Sequence, residues 1–77
     1  MSDSAFKVEP LAVNVTFDTD SFTAHLSDGR AASVPYAFSS RLAEATAEQR
    51  ADYRLIGRGI HWPQIDEDLS IASLLRG

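Results

Sequence analysis

The first half of the chain alternates apolar and polar residues with a period of two. In the segment 11–17 every second residue is apolar, namely Leu11, Val13, Val15 and Phe17. The segment 22–26 repeats the alternation with Phe22, Ala24 and Leu26. This period is typical of strands that bury one face and expose the other. We therefore predict two strands whose alternating apolar side chains face the core.

Turn residues and a proline extend these two strands into a meander. The segment 18–21 contains Asp, Thr and Ser side chains that bond the local backbone in turns. Asp28 and Gly29 form the pair that favours a type I′ hairpin, in which both central residues have positive φ. The segment 31–34 then returns as a third strand, which Pro35 ends because it has no N–H donor. A three-stranded antiparallel meander is the result.

The middle of the chain changes to helical spacing. Phe38, Leu42 and Ala45 lie at i, i+4 and i+7, which predicts one apolar stripe of a short helix. Thr46 and Gln49 fit a capping box, in which each side chain bonds the other residue's free backbone N–H. A second short helix over about 47–53 follows from this cap.

The last third of the chain predicts short strands and a helix. Segments 53–55 and 60–62 each fit a short strand, and the glycines between them indicate a bulge, a bend or close approach of another backbone. Ser70 is placed to cap a C-terminal helix whose apolar face contains Ile71, Leu74 and Leu75. The acidic run 66–68 then precedes that helix, where the helix dipole favours negative charge.

These elements predict a small single-domain α+β protein. The order is a three-stranded antiparallel meander, short helices, a further short strand or strand pair and a C-terminal helix. A length of 77 residues fits one domain. We assign residues 1–7 to an N-terminal tail, whose order the sequence leaves open, and residues 8–77 to the α+β domain.

Composition narrows the classes of protein. There is no cysteine, which excludes disulfides, thiolate zinc sites and thiol catalysis. The N-terminus is polar and lacks the apolar segment of a signal peptide. No apolar run approaches the roughly 20 residues that span a bilayer. We therefore expect a cytoplasmic protein with no membrane partner.

The charge balance disfavours nucleic acid as a direct ligand. Eleven acidic and seven basic residues give a net charge of −4, whereas binding to phosphates depends on Lys and Arg. The segment 41–58 is locally richer in arginine, and a candidate basic patch consists of Arg41, Arg50 and Arg54. A nucleic-acid-associated regulator using this patch is an alternative hypothesis, although binding by this chain on its own is not expected.

His61 and Trp62 are the residues with the most distinctive chemistry. Trp62 fits two roles, an aromatic anchor on a partner surface or a large side chain that fills a small core. His61 is expected to point to the opposite side of its strand. The sequence leaves both alternatives open for Trp62.

No catalytic or metal-binding pattern is complete. The chain lacks a Gly-x-Ser-x-Gly elbow, and nothing orders a serine, a histidine and an aspartate into a triad. A metal site built from His61 with Asp66 or Asp68 lacks a second confident ligand, since His25 is the one other imidazole. We expect no enzyme activity, no metal and no cofactor, and a small-ligand-binding domain centred on His61 is a further alternative.

Several segments resemble domain-of-unknown-function family 2442. The segments that carry the resemblance are 26–30, 34–35, 41–42, 45–50, 56–63 and 66–70. The most specific piece is Gly-Ile-His-Trp-Pro at 59–63 with the acidic run after it, and the resemblance spans about residues 8–76. It implies a compact α+β domain from bacteria, without agreed catalytic residues. It also implies a gene next to that of another short protein, as in toxin–antitoxin pairs.

The function hypothesis is therefore a non-enzymatic protein-interaction module. Its partner is expected to be another small protein encoded next to it, which this chain binds as an antitoxin-like half of the pair. The candidate interaction surface consists of Arg58, His61, Trp62, Asp66, Glu67 and Asp68. A homodimer formed through an edge strand or the C-terminal helix is also open.

Overall fold

The computed structural model describes residues 10–76, which form six strands and three short helices. The elements are β1 (Ala12–Phe17), β2 (Ser21–Leu26), β3 (Ala31–Pro35), α1 (Ser40–Glu44), α2 (Ala47–Ala51), β4 (Arg54–Ile56), β5 (Gly59–Trp62), β6 (Glu67–Ser70) and α3 (Ile71–Arg76). A 3₁₀ turn over Tyr36–Phe38 links β3 to α1. The predicted tail, residues 1–7, lies outside the described residues.

The strands form two three-stranded antiparallel sheets, with orders β1-β2-β3 and β4-β5-β6. Their apolar sides share one core, in which the rings of Phe22 and Trp62 meet edge to face at 5.5 Å. Short helices complete this core through Leu42 of α1 and through Ile71 and Leu74 of α3. The predicted small α+β fold is confirmed.

The first strand departs from the predicted alternation. Ala12 pairs with Leu26, and Asn14 pairs with His25, so β1 carries one extra residue at this point. This β-bulge shifts the pattern by one position. Val15 is buried as predicted, whereas Val13 is 57% exposed and Leu11, before the strand, is 45% exposed. The prediction that both of these side chains face the core is wrong.

The β2–β3 hairpin also differs from the predicted type I′ turn. Positive φ occurs at Gly29, with φ 90°, and not at Asp28. The Gly29 N–H donates to the Leu26 carbonyl, and the Leu26 N–H donates to the Arg30 carbonyl, which leaves a three-residue loop. Such loops combine an ordinary turn with one left-handed glycine. Asp28 instead accepts from the Arg30 backbone and guanidinium, and the backbone N–H is the main reason that its pKa is lowered.

The helical middle is shorter than its spacing predicts. Leu42 is fully buried, but Phe38 belongs to the 3₁₀ turn and is 47% exposed, so the predicted stripe reduces to one deeply buried side chain. The Thr46–Gln49 capping box is confirmed at the start of α2 by side-chain-to-backbone bonds of 2.9 and 3.1 Å.

The acidic run 66–68 does not lie in a helix N-terminal turn. Asp66 belongs to the turn after β5, and the other two residues lie in β6, a strand that the sequence did not predict. Helix α3 starts only at Ile71 and has no acidic residue in its first turn. Ser70 does cap it, because its hydroxyl accepts from the Ser73 N–H at 3.1 Å. The helix-dipole explanation of the acidic run is therefore wrong.

The glycines between β4 and β5 have separate roles. Gly57 is the first residue of a two-residue turn and has φ 55°, which a residue with a side chain rarely adopts. Gly59 allows close approach of another backbone, since a Cβ there would lie 3.1 Å from the Leu69 carbonyl oxygen. The sequence left open a bulge, a bend or close approach of another backbone, and the close approach is present at Gly59.

Candidate interaction surface on the second sheet

Strand β5 divides its side chains between two environments. Ile60 and Trp62 point into the core and are 1% and 0% exposed. His61 lies on the other side, directly between Arg54 of β4 and Asp68 of β6 in the strand register. These three residues form a row across the sheet, because directly paired residues share one face.

Hydrogen bonds hold the polar row in place. The His61 Nδ1 atom lies 2.7 Å from Asp68 Oδ1, and their side chains are 27% and 76% exposed. Arg54 donates to Asp52 Oδ1 at 2.6 Å. The other oxygen of Asp52 accepts from the Gln64 amide at 3.0 Å. Both hydrogen bonds lower the pKa of the Asp52 carboxyl, and the bond from Gln64 has the larger effect.

An exposed apolar residue lies beside this row. Ile56 pairs with Gly59, which pairs in turn with Ser70, so these residues form the next row on the same face. Ile56 is 60% exposed, and its neighbours across the sheet have little or no side chain to cover it. We call the side chains of Arg54, Ile56, His61, Asp68 and Ser70, together with Gly59, the outer face.

Four of the six predicted surface residues lie on the outer face or in turns. His61 and Asp68 belong to the outer face. Arg58 lies in the turn at its end, where its carbonyl accepts from the Ile71 N–H at 2.9 Å. Asp66 lies in the turn before β6, with a side chain that is 90% exposed.

Glu67 lies on the opposite side of β6 from the outer face. Its carboxylate accepts from the Ser39 hydroxyl, which is buried, and from the Asp68 N–H. Its position is explained by bonds within the domain.

Trp62 does not belong to an accessible surface. Its side chain is fully buried, its ring meets Phe22, and its indole N–H donates to the Arg50 carbonyl at 2.9 Å. The indole therefore buries its apolar area and still satisfies its one polar atom. Of the two interpretations that the sequence allowed, the core is the observed one, and the inclusion of Trp62 in the candidate interaction surface is corrected.

The predicted basic patch consists of side chains that bond within the domain. The Arg50 guanidinium lies 3.7 Å from the centre of the Tyr36 ring and donates to the Leu42 and Ala43 carbonyls at the end of α1. Arg41 donates to the carbonyls of Ile65 and Asp66. The third member, Arg54, belongs to the outer face.

Two residues of the outer face, Arg54 and Ile56, were not recognised together as part of one surface with His61. A two-residue turn at Gly57 and Arg58 pairs Ile56 with Gly59 and Arg54 with His61. The two flanking glycines marked this connection, but the sequence left open whether they indicated a bulge, a bend or close approach of another backbone.

The concave regions of the molecule lie elsewhere. A groove of about 500 Å³ lies between the β1–β2 turn and α2, and a pocket of about 120 Å³ lies beside β3. His61 lines neither of them. Within residues 10–76 the structure brings no three metal-ligating side chains together, and no helix there is long and apolar enough to cross a membrane.

Comparison with known proteins identifies the family without identifying an activity. The family model described as "Protein of unknown function (DUF2442)" matches residues 12–77. The fold is similar to that in a crystal structure of a protein of unknown function from Rhodospirillum rubrum ATCC 11170. That similarity has a TM-score of 0.79 and 27% identity, over 91% of this chain and 89% of the other. No curated protein matches the chain.

Proposed function

The chain belongs to the family described as Protein of unknown function (DUF2442), and on that premise we propose that it is a non-enzymatic protein-interaction module of the cytoplasm. In this proposal it binds a small protein encoded next to it, as the antitoxin-like half of the pair. The gene arrangement implied by the family resemblance motivates the choice of partner.

The observation that carries the proposal is the exposure of Ile56 on the outer face. An exposed aliphatic side chain is ordinary by itself, because folded proteins expose much apolar surface. Here it lies beside a polar row that hydrogen bonds already hold, so little side-chain freedom is lost when a partner binds. An apolar centre with an ordered polar surround is the usual anatomy of a protein interface.

The charge of this region indicates the chemistry of the partner. The Asp66 side chain lies 3.7 Å from Arg41 and is still 90% exposed. The Asp68 side chain, which bonds His61, is 76% exposed, and the whole chain carries a net charge of −4. A partner that presents Lys or Arg around an apolar contact residue is therefore electrostatically complementary. Such complementarity raises the association rate and favours the correct partner.

The setting of His61 supports a binding role over a catalytic one. Its imidazole lies on an open sheet face, and its ring nitrogen Nδ1 is engaged by Asp68. Acid–base catalysis by a histidine usually benefits from a cleft that excludes water and orients a substrate. His61 lines neither of the two concave regions described above, and an open sheet face suits contact with another protein.

The proposal is tested by co-expressing the tagged chain with the protein encoded next to it. We expect a stoichiometric complex with the wild type and loss of that complex with Ile56→Asp. Phe38→Asp is the matched control, because Phe38 is also exposed and lies between β3 and α1 rather than on the second sheet. Absence of a complex with the wild type contradicts the proposed partner. Equal capture by Ile56→Asp contradicts the proposed surface.

A further inference from the structure

The four outermost strands of the two sheets differ in how their free edges are covered. β1 and β4 lie near each other. Helix α3 lies near β3 through the core, to which Leu74 and Val34 both belong. On β6, the Asp68 N–H is already bonded to the Glu67 carboxylate at 3.0 Å. β3 is the remaining outermost strand, and Ser33 at its centre is exposed.

The hydrogen bonds at the two ends of β3 show which backbone groups point outward. The Leu26 N–H donates to the Arg30 carbonyl, and the Tyr36 N–H donates to the Asp20 carbonyl. Since bonded and non-bonded pairs alternate in an antiparallel ladder, Ala32 and Val34 bond to β2. The N–H and C=O groups of Ala31 and Ser33, and the carbonyl of Pro35, therefore point to the free edge.

This edge is open and uncharged. Ser33 is exposed, and within residues 10–76 its N–H has no backbone acceptor. Edge strands commonly carry charged residues that prevent pairing with another chain. The sequence of β3, Ala-Ala-Ser-Val-Pro, contains no charged residue. Its proline removes one donor at the end of the strand and leaves the centre free to pair.

We propose that β3 pairs antiparallel with β3 of a second copy of this chain, with Ser33 on the twofold axis. The two Ser33 residues then exchange N–H to C=O bonds, and each Ala31 N–H donates to the Pro35 carbonyl of the other copy. The missing proline donor leaves only the Ala31 carbonyls without a strand partner. The two meanders become one six-stranded sheet, an isologous arrangement in which each contact occurs twice.

The surroundings of the edge suit a second copy. The pocket of about 120 Å³ beside β3 is lined by Ser33, Val34, Pro35, Phe38 and Leu74. An added strand brings its own core-facing residues, Ala32 and Val34 of the second copy, beside this pocket and beside Phe38, which is 47% exposed. Pairing then covers apolar surface as well as the backbone groups.

The net negative charge of the chain favours an uncharged segment such as β3 as the contact between two copies. Each copy carries a net charge of −4, so two copies repel each other overall. Pairing through β3 brings together segments that contain no charged residue. Self-association is therefore expected to strengthen as salt screens the net repulsion. This dimer uses a different sheet from the proposed partner surface, so either proposal can fail without the other.

Sedimentation equilibrium of the full chain across protein concentrations is the first test, with Ser33→Pro and Ser33→Ala as the matched pair. Proline removes the N–H that pairs on the axis, whereas alanine keeps the backbone and removes only the hydroxyl. We expect Ser33→Pro to weaken dimerisation roughly 10- to 100-fold, because two hydrogen bonds are lost. Ser33→Ala should dimerise like the wild type. A wild-type chain that stays monomeric up to about 1 mM overturns the proposal.

A charge swap tests the same axis if Ser33→Pro does not fold. Ser33→Lys or Ser33→Glu places like charges directly opposite each other, which destabilises strand pairing. An equal mixture of the two variants places Lys opposite Glu and should restore dimerisation. The same pair of substitutions at Thr16, on the opposite edge of the sheet, should show no rescue on mixing. Absence of rescue at Ser33 places the contact elsewhere and overturns the proposal.

Amide hydrogen exchange gives a readout that needs no variant. The Ser33 amide should become protected as protein concentration rises, while an exposed loop amide such as that of Thr19 stays unprotected. A Ser33 amide that exchanges freely in a dimeric sample also overturns the proposal.

Discussion

The two faces of the second sheet differ in what their residues contact, although they alternate along the same strand. On the core side, Ile60 and Trp62 are almost fully enclosed. On the outer face, Gly59 and His61 pair with residues of β4 and β6 in the same sheet. Residues that are adjacent in the sequence therefore have different roles. Substitutions on the core side should affect stability, and substitutions on the outer face should affect binding.

Because the two faces differ, the Gly-Ile-His-Trp-Pro motif at 59–63 combines two roles. In Gly-Ile-His-Trp-Pro, the apolar members stabilise the fold and the polar member is available to a partner. A functional assay that treats the motif as one site would confuse loss of folding with loss of binding. Substitutions made separately on each face distinguish the two effects.

The largest effect is expected from Trp62→Ala. This change removes the largest fully buried side chain and leaves the Arg50 carbonyl without its donor. We expect a loss of about 3–5 kcal/mol in the free energy of unfolding, measured by urea denaturation. His61→Ala, the adjacent residue on the outer face, is the control and should change stability by less than about 1 kcal/mol. Equal losses for the two variants would remove the distinction between the faces.

A smaller effect on the core side is expected from Ser39→Ala. The Ser39 hydroxyl caps α1 by accepting from the Leu42 N–H, and it donates to the Glu67 carboxylate. Loss of both contacts should reduce the free energy of unfolding by about 2 kcal/mol. The neighbouring exposed residue provides the control, since Ser40→Ala should have little effect. Similar unfolding curves for the two variants would show that the buried hydroxyl contributes nothing.

The outer face should tolerate the change that abolishes partner binding. Ile56→Asp exposes no new core and breaks no described hydrogen bond, so its free energy of unfolding should stay within about 0.5–1 kcal/mol of wild type. Thermal and urea unfolding of the isolated chain check this expectation. A loss comparable to that of Trp62→Ala would show that Ile56 is needed for folding, and its binding defect would then carry no information about the surface.

The smallest effect concerns pH and the Asp52 carboxylate that holds Arg54. Hydrogen bonds from Gln64 and Arg54 lower its pKa in the folded state. The stabilisation is therefore present above the unfolded pKa of about 3.9 and is lost as pH falls through the lower folded value. Asp52→Asn should be slightly less stable than wild type near pH 7. The difference should shrink below about pH 4, as followed by urea midpoints across pH.

The sequence predicted the fold well where local signals were strong. The alternation in β2 and the Thr46 cap describe contacts between residues close in the chain, and both are confirmed. Val13 shows the limit of periodicity as a signal. The bulge at this residue changes which side chains face the core, but the alternation of apolar residues in the sequence does not reveal it. β6 shows another limit, since its acidic residues look like a helix start until β5 provides a strand to pair with.

The candidate site was only partly predictable for a similar reason. His61 and Asp68 were named individually, but their 2.7 Å contact depends on a strand that the sequence did not reveal. Trp62 fitted either a surface or a core in the sequence, and its burial against Phe22 decides for the core. The contacts of Arg50 with the end of α1 likewise follow from tertiary structure, so the basic patch could not be rejected from composition.

The most direct test of the account is chemical-shift mapping of the labelled chain with the protein encoded next to it. We predict that the amides perturbed on binding belong to Arg54, Ile56, His61 and Asp68, with the Trp62 indole N–H little changed. Perturbations confined to the groove beside α2 or to β3, with the second sheet unaffected, would contradict the assignment of the outer face as the interaction surface.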